Sequence, residues 1–156
     1  MFKEQTPQLL DLNLLENYDS IILSGRRKNE KKINEINSKV ITYSIKNEIK
    51  LLGICYGAEI LALTLGGTIR KTLSLHKGNE TIKIFKENPI SSDSLDVFES
   101  HGFEISKLPN TLVSLAESKH CKYEIIQYEK NLIFGTQFHP EMSQDGHDLI
   151  EKFCSL

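Results

Sequence analysis

The feature that most limits what this chain can fold into is Leu51-Leu52-Gly53-Ile54-Cys55-Tyr56-Gly57-Ala58-Glu59-Ile60 and the apolar run behind it to Leu65. Leu51 to Ile54 is a short apolar run of the kind a buried strand needs. Ala58, Ile60, Leu61, Ala62, Leu63 and Leu65 then favour helix, and Gly66-Gly67 stop it. Between strand and helix sits a single cysteine bracketed by Gly53 and Gly57. A sharp strand-to-helix turn brings backbones close together, so glycine two positions either side of the turning residue has a steric reason. The turn is expected to push Cys55 Sγ out of the sheet and to set it at a helix N-terminus, where free N–H groups and the dipole favour a thiolate. A lone cysteine between glycines is also compatible with a small buried residue at a tight turn.

A second stretch bears on that choice. Gly135-Thr136-Gln137-Phe138-His139-Pro140-Glu141 follows the apolar run Leu132-Ile133-Phe134, so a strand would deliver His139 at its C-terminal end. A cysteine nucleophile needs an imidazole to take its proton and a third group to orient that imidazole. Cys55, His139 and Glu141 supply the three in that order.

Together these stretches resemble the class I glutamine amidotransferases of the triad type, which carry a G-x-C-x-G-x-Q elbow and a later H-P-E. Glu99-Ser100-His101-Gly102-Phe103-Glu104, followed by Leu108-Pro109, is similar to the S-H-G-D-E-V…L-P stretch of the GMP synthase branch of that family. The resemblance implies a three-layer, flavodoxin-like α/β fold with a mostly parallel central sheet, in which Cys55, His139 and Glu141 hydrolyse the side-chain amide of glutamine. It implies that the ammonia passes to a synthetase partner, with GMP synthesis as one use, and with no cofactor and no metal. The backbone N–H of Tyr56 and that of Gly25 would form the oxyanion hole. Two other readings stay open: a γ-glutamyl hydrolase or peptidase-like enzyme, and a non-catalytic binding relative.

Three departures from the family pattern stand out. Glu59 occupies the place of the usual Gln; it either binds substrate, by reading an ammonium or altering which amide is accepted, or simply suits the first turn of a helix. Gly25 aligns with the loop that gives the second oxyanion donor, but Arg26-Arg27-Lys28 replace the expected small residues and proline. That cluster reads as a solvated basic face, with a carboxylate clamp as the alternative. Family members usually open with an extra strand and helix ahead of the segment that starts here at Phe2. The natural product is therefore expected to be longer, or the exposed sheet edge to be covered by another chain. His101 divides between contacting substrate or partner and serving as a structural histidine.

The remaining constraints are compositional. With 156 residues and 26% charged side chains, one domain spanning residues 1–156 is the simplest organisation. A formal net charge of −2 gives no sign of nucleic acid or a membrane surface as partner. Cys55, Cys121 and Cys154 are an odd, scattered set without metal-type spacing, which fits a reducing, cytoplasmic setting. Thr6 to Glu16 is expected to form a short helix, Asp19 to Gly25 a buried strand, and Asn29 to Lys46 a helix packed through Ile33, Ile36, Val40 and Tyr43. Thr68 to Arg70, Thr81 to Phe85, Asp96 to Ser100, Leu112 to Ala116, Glu124 to Tyr128 and Leu132 to Gly135 read as further strands. Gly146 to Phe153 closes the chain as a helix.

Overall fold

A computed structural model describes residues 10–26, 29–129 and 131–156. A 3-10 turn, Leu12–Asn17, opens the described chain; the Asp11 side chain caps it by accepting from the Asn13 N–H. The sequence expectation of a helix from Thr6 falls partly outside the described residues. There follow β1 (Ser20–Leu23), α1 (Lys31–Lys46), β2 (Lys50–Ile54), α2 (Tyr56–Thr64), β3 (Thr68–Ile84), β4 (Ser94–Lys107), β5 (Leu112–Glu117), β6 (Ile125–Tyr128), β7 (Ile133–Thr136) and α3 (Gln144–Ser155). A second 3-10 turn, Pro140–Met142, sits between β7 and α3.

The strands form one sheet in the order β1-β2-β7-β6-β5-β3-β4. Its parallel part is β1, β2 and β7, and the other four strands continue it antiparallel. β2 is buried on both faces, which is why Leu51, Leu52 and Ile54 read as an uninterrupted apolar run rather than an alternating one. Alternate residues nevertheless serve different layers. Leu51 joins Ile133 and Ile126 beneath Val40 and Ile41 of α1 and Ile60 and Leu61 of α2. Leu52, Ile54 and Phe134 face the opposite side, against Phe138 and against Leu149 and Phe153 of α3. The result is the expected three-layer arrangement, with helices on both faces of the sheet.

Two local expectations change. α1 buries Ile33, Asn37, Val40, Ile41 and Ser44, so its packed face is turned away from Ile36 and Tyr43; burying Asn37 and Ser44 hid that face from an apolar count. The segments expected as separate short strands, Thr68 to Arg70 and Thr81 to Phe85, belong to one long strand. β3 runs unbroken and pairs with an equally extended β4, with a register break between Lys71 and His76. Most of β3 is exposed or half-buried, so its polar middle carried no burial pattern to read.

The turn between β2 and α2 is set by close packing. A Cβ at Gly53 would stand 2.6 Å from the Gly57 carbonyl carbon and 2.8 Å from Ala58 N. One at Gly57 would collide with the Leu23 carbonyl at the end of β1. Neither neighbour is the flexible end of a side chain, so neither can step aside cheaply. Gly57→Ala is expected to cost about 3 kcal/mol or more of folding stability. Urea unfolding measures this, and an unchanged midpoint would contradict the packing of α2 on β1.

Candidate active site

Cys55 occupies the single position between β2 and α2, with φ 49° and ψ −103°. Positive φ is strained for a residue with a Cβ, at a cost of roughly 1–3 kcal/mol, and the surroundings must hold it there. The Cys55 N–H donates to Thr136 O of β7 at 2.7 Å, and Cys55 O accepts from Glu59 N at 3.0 Å. The elbow is thus tied to the neighbouring strand on one side and to the first turn of α2 on the other.

β7 brings in the second group. It ends at Thr136, and Gln137-Phe138-His139 leave the sheet. The His139 N–H donates to Phe98 O of β4 at 2.9 Å, which fixes the backbone from which the ring projects. His139 Nδ1 lies 2.8 Å from Glu141 Oε1, so Nδ1–H can donate to the carboxylate and leave Nε2 with a free lone pair. Gly25, just past β1, stands where these groups meet. A Cβ there would lie 2.8 Å from His139 Cε1 and 3.7 Å from Cys55 Cβ. Any larger residue would press directly on the imidazole.

The electrostatics reverse one sequence expectation. Burial, joined by the charges of Glu59, Glu99 and Glu141, pushes the Cys55 thiol up to about 12, against the pull of the Tyr56 N–H. The helix N-terminus does point at the sulfur, but it does not outweigh a site closed to water and lined with carboxylates. Cys55 is a thiol at rest. His139 is raised above its ordinary value, chiefly by its hydrogen bond to Glu141 and against burial. Burial raises Glu141, yet the His139 contact outweighs that and leaves it lowered.

Gln137 is a functional candidate that stands out only in three dimensions. It is fully buried. Its Nε2 donates to Glu59 Oε1 at 3.2 Å and to Phe103 O at 3.4 Å, and lies 4.0 Å from Cys55 Sγ. Its Oε1 has no hydrogen-bond partner. Glu59 is therefore not a solvated first-turn carboxylate: it is 7% exposed, and burial raises its pKa despite the Gln137 bond and the nearby His101. The one signal in the sequence was a glutamine two residues before His139, and polar residues near a motif are too common to single out.

The other predicted positions are more dispersed. Tyr56 begins α2, and its hydroxyl hydrogen-bonds Asn34 Oδ1 of α1. Arg26 pairs with Glu30 at 3.1 Å, an exposed i,i+4 contact; Arg27 and Lys28 lie outside the described residues. His101 is buried in β4, with Nδ1 2.8 Å from Phe103 O and Nε2 3.0 Å from Glu99 Oε2. Two cavities occur elsewhere, one of about 270 Å³ beside His101 and one of about 550 Å³ between Asn79 and Asp145. Cys55 lines neither. Cys121 is buried, with its thiol pushed up by burial and by Glu124.

A nucleophile elbow between parallel strands, with a His–Glu pair delivered by the next strand, defines a class of protein rather than one activity. Residues 2–155 match the family model for glutamine amidotransferase class-I, and the chain belongs to that family. Within it, the chain is 32% identical over 148 residues to the separate glutamine-hydrolysing subunit of GMP synthase from Saccharolobus solfataricus, covering 91% of this chain and 78% of that one. It is 30% identical over 143 residues to the glutamine-hydrolysing GMP synthase of Aliivibrio fischeri, but spans only 27% of that protein's length. Among solved structures, a GMP synthase subunit protein from Thermoplasma acidophilum superposes with a TM-score of 0.83 at 28% identity, over 94% of this chain and 76% of that one. A glutamine amidotransferase from Thermotoga maritima shares the fold, with a TM-score of 0.75 at 24% identity over 90% of this chain and 64% of that one.

The His139–Glu141 pair makes a testable pH signature. A raised His139 contributes stability that is fully present below its ordinary 6.5 and is lost as pH rises through the folded value. A lowered Glu141 contributes stability that is present above its ordinary 4.5 and is lost as pH falls through the folded value. Both act together between those limits. Because Glu141 is 47% exposed, Glu141→Gln is expected to cost at most about 1 kcal/mol. The loss should be largest near pH ~5.5 and absent well above neutrality. Urea unfolding across pH checks this; a loss that grows with rising pH would refute the pairing.

Proposed function

We propose that this chain is the glutamine-hydrolysing component of an amidotransferase, with Cys55 as nucleophile, His139 as general base and acid, and Glu141 as the group that orients the imidazole. The observation that carries this reading is the Cys55 elbow and the His139–Glu141 pair meeting around Gly25. The amide carbon of glutamine is a poor electrophile, and division of its cleavage into acylation and deacylation lowers each barrier. Because Cys55 rests as a thiol, His139 must be neutral to take the Sγ proton as sulfur attacks the carbonyl. The imidazolium so formed returns that proton to the departing ammonia, and the neutral ring then draws one from water to release glutamate. Glu141 stabilises the imidazolium between these steps. The Tyr56 N–H, already directed towards the sulfur, would also serve the developing oxyanion, with Gly25 as the second donor. One such donor typically contributes about 3 kcal/mol.

The acceptor reading follows from the relatives. The similarity to the glutamine-hydrolysing component of GMP synthase supports a separate synthetase as the recipient of the ammonia and guanine nucleotide synthesis as its use. Glu59 is a substrate-facing group in this reading. With its pKa raised by burial, it can hold a proton and present one donor and one acceptor, much as an amide does.

Three outcomes test the proposal. Cys55→Ala should abolish glutamate release while keeping the fold, since a small residue still fits the turn; retained turnover would exclude Cys55 as nucleophile. The acid limb of kcat/KM should lie above the ordinary imidazole value of 6.5 and move down in Glu141→Gln, because loss of the carboxylate removes what raises His139. Glu59→Gln should leave kcat/KM for glutamine unchanged or improved. A fall of about 10-fold or more would mean that the carboxylate reads a substrate charge, and would favour a γ-glutamyl substrate other than free glutamine.

A further inference from the structure

The cavity of about 270 Å³ lies apart from Cys55 and is walled by residues that the amidotransferase reading leaves unused: His76, Glu99, His101, His120 and Glu124. Strand register brings them together. His76 of β3 lies directly opposite His101 of β4, and Gly78 lies opposite Glu99. Alternate residues of a strand share one face, so Glu99 and His101 point the same way, and the missing side chain at Gly78 leaves space over Glu99. The connection from β5 to β6 folds across that space and adds His120 and Glu124.

Three of these side chains are almost closed to water and incompletely paired. His101 is 4% exposed, Glu99 6% and Glu124 0%. Both carboxylate oxygens of Glu99, both of Glu124, and His101 Nε2 lack a hydrogen-bond partner. His101 Nε2 and Glu99 Oε2 are 3.0 Å apart without hydrogen-bond alignment. The Nδ1 side of His101 faces Phe103 O at 2.8 Å, so Nδ1–H donates there and Nε2 presents its lone pair towards the carboxylate. Two lone-pair donors facing each other in a buried site require a cation between or beside them.

From these residues we infer a divalent metal site, with His101 and Glu99 as its core ligands and His76, His120 and Glu124 completing it. Two donors at about 2.1 Å from one ion stand roughly 3.0 to 3.4 Å apart, and imidazoles sharing an ion place their ring centres roughly 5 Å apart. The Nε2–Oε2 separation meets the first figure. The ring centres of His76 and His101 are 4.9 Å apart, and those of His76 and His120 are 5.6 Å apart. A ligating imidazole that donates its other N–H to a backbone carbonyl is the usual pattern around a bound metal, as at His101 and Phe103. Mixed imidazole and carboxylate donors suit a borderline ion such as Zn2+ or Co2+. As the side chains stand, no three donors of the described residues converge on one point. The ion would draw in the half-buried His76 and the exposed His120 by rotation of their rings. Its effect would be to pin the β3–β4 arm to the β5–β6 connection, next to the Phe98 carbonyl that holds His139.

The test is binding of Zn2+ to metal-stripped protein, followed by competition with a chromophoric chelator, in native chain and in Cys55→Ala, which removes the other thiol–imidazole pair. One ion per chain, with Kd of about 1 µM or tighter in both, and a raised thermal midpoint are expected. His76→Ala and His120→Ala, both at the cavity wall and safe for folding, should each weaken binding about 10-fold or more. Co2+ should give the visible spectrum of a nitrogen–oxygen site without a thiolate charge-transfer band. Kd weaker than about 100 µM, an affinity unchanged by both histidine variants, or binding lost in Cys55→Ala would overturn the site. The first two outcomes would leave a proton on His101 as the charge that balances Glu99.

Discussion

Everything in this molecule depends on how closely α2 can start against the ends of three parallel strands. Gly53 touches the Gly57 backbone, Gly57 touches the Leu23 carbonyl, and the Cys55 N–H reaches Thr136 O. One turn therefore fixes β1, β2 and β7 against each other and forces Cys55 into a conformation that a side-chain-bearing residue avoids. The two apolar layers, Leu51 with α1 and α2 on one face and Leu52 with α3 on the other, supply the stability that holds that strain.

Around the turn the site is built from carboxylates as much as from the sulfur and the imidazole. Glu59, Glu99 and Glu141 all act on Cys55, and Gln137 joins Glu59 to the Phe103 carbonyl beneath the sulfur. A thiolate is disfavoured in such surroundings and an imidazolium is favoured. The electrostatic arrangement suits a proton that moves from sulfur to nitrogen during attack, rather than an ion pair waiting for substrate.

How much of this could be read from the chain alone follows from the kind of signal each element leaves. The elbow was legible because steric contact demands glycine at two fixed offsets, and His139-Pro140-Glu141 because a base and its partner sit two residues apart after an apolar strand. Fold class followed from the apolar runs at β2 and β7. The length of β3 was not legible, since a half-exposed arm has no burial pattern between Lys71 and Glu80. Nor was the face of α1, which packs through Asn37 and Ser44. The direction of the Cys55 shift needed the burial of the sulfur and the positions of Glu99 and Glu59, neither of which a local pattern carries. Dipole reasoning on the local sequence could only supply the smaller and opposite contribution.

The raised thiol has a meaning beyond proton transfer. Peroxides and disulfides react with thiolates, and susceptibility follows thiolate character and exposure. Cys55 is 6% exposed and held near 12, so at neutral pH almost none of it is in the vulnerable form. The molecule stores its sulfur in an oxidation-resistant state, and a bound electrophile in contact with His139 is what releases its reactivity. Durability between turnovers and dependence on the correct guest are thus two faces of the same buried, carboxylate-ringed position.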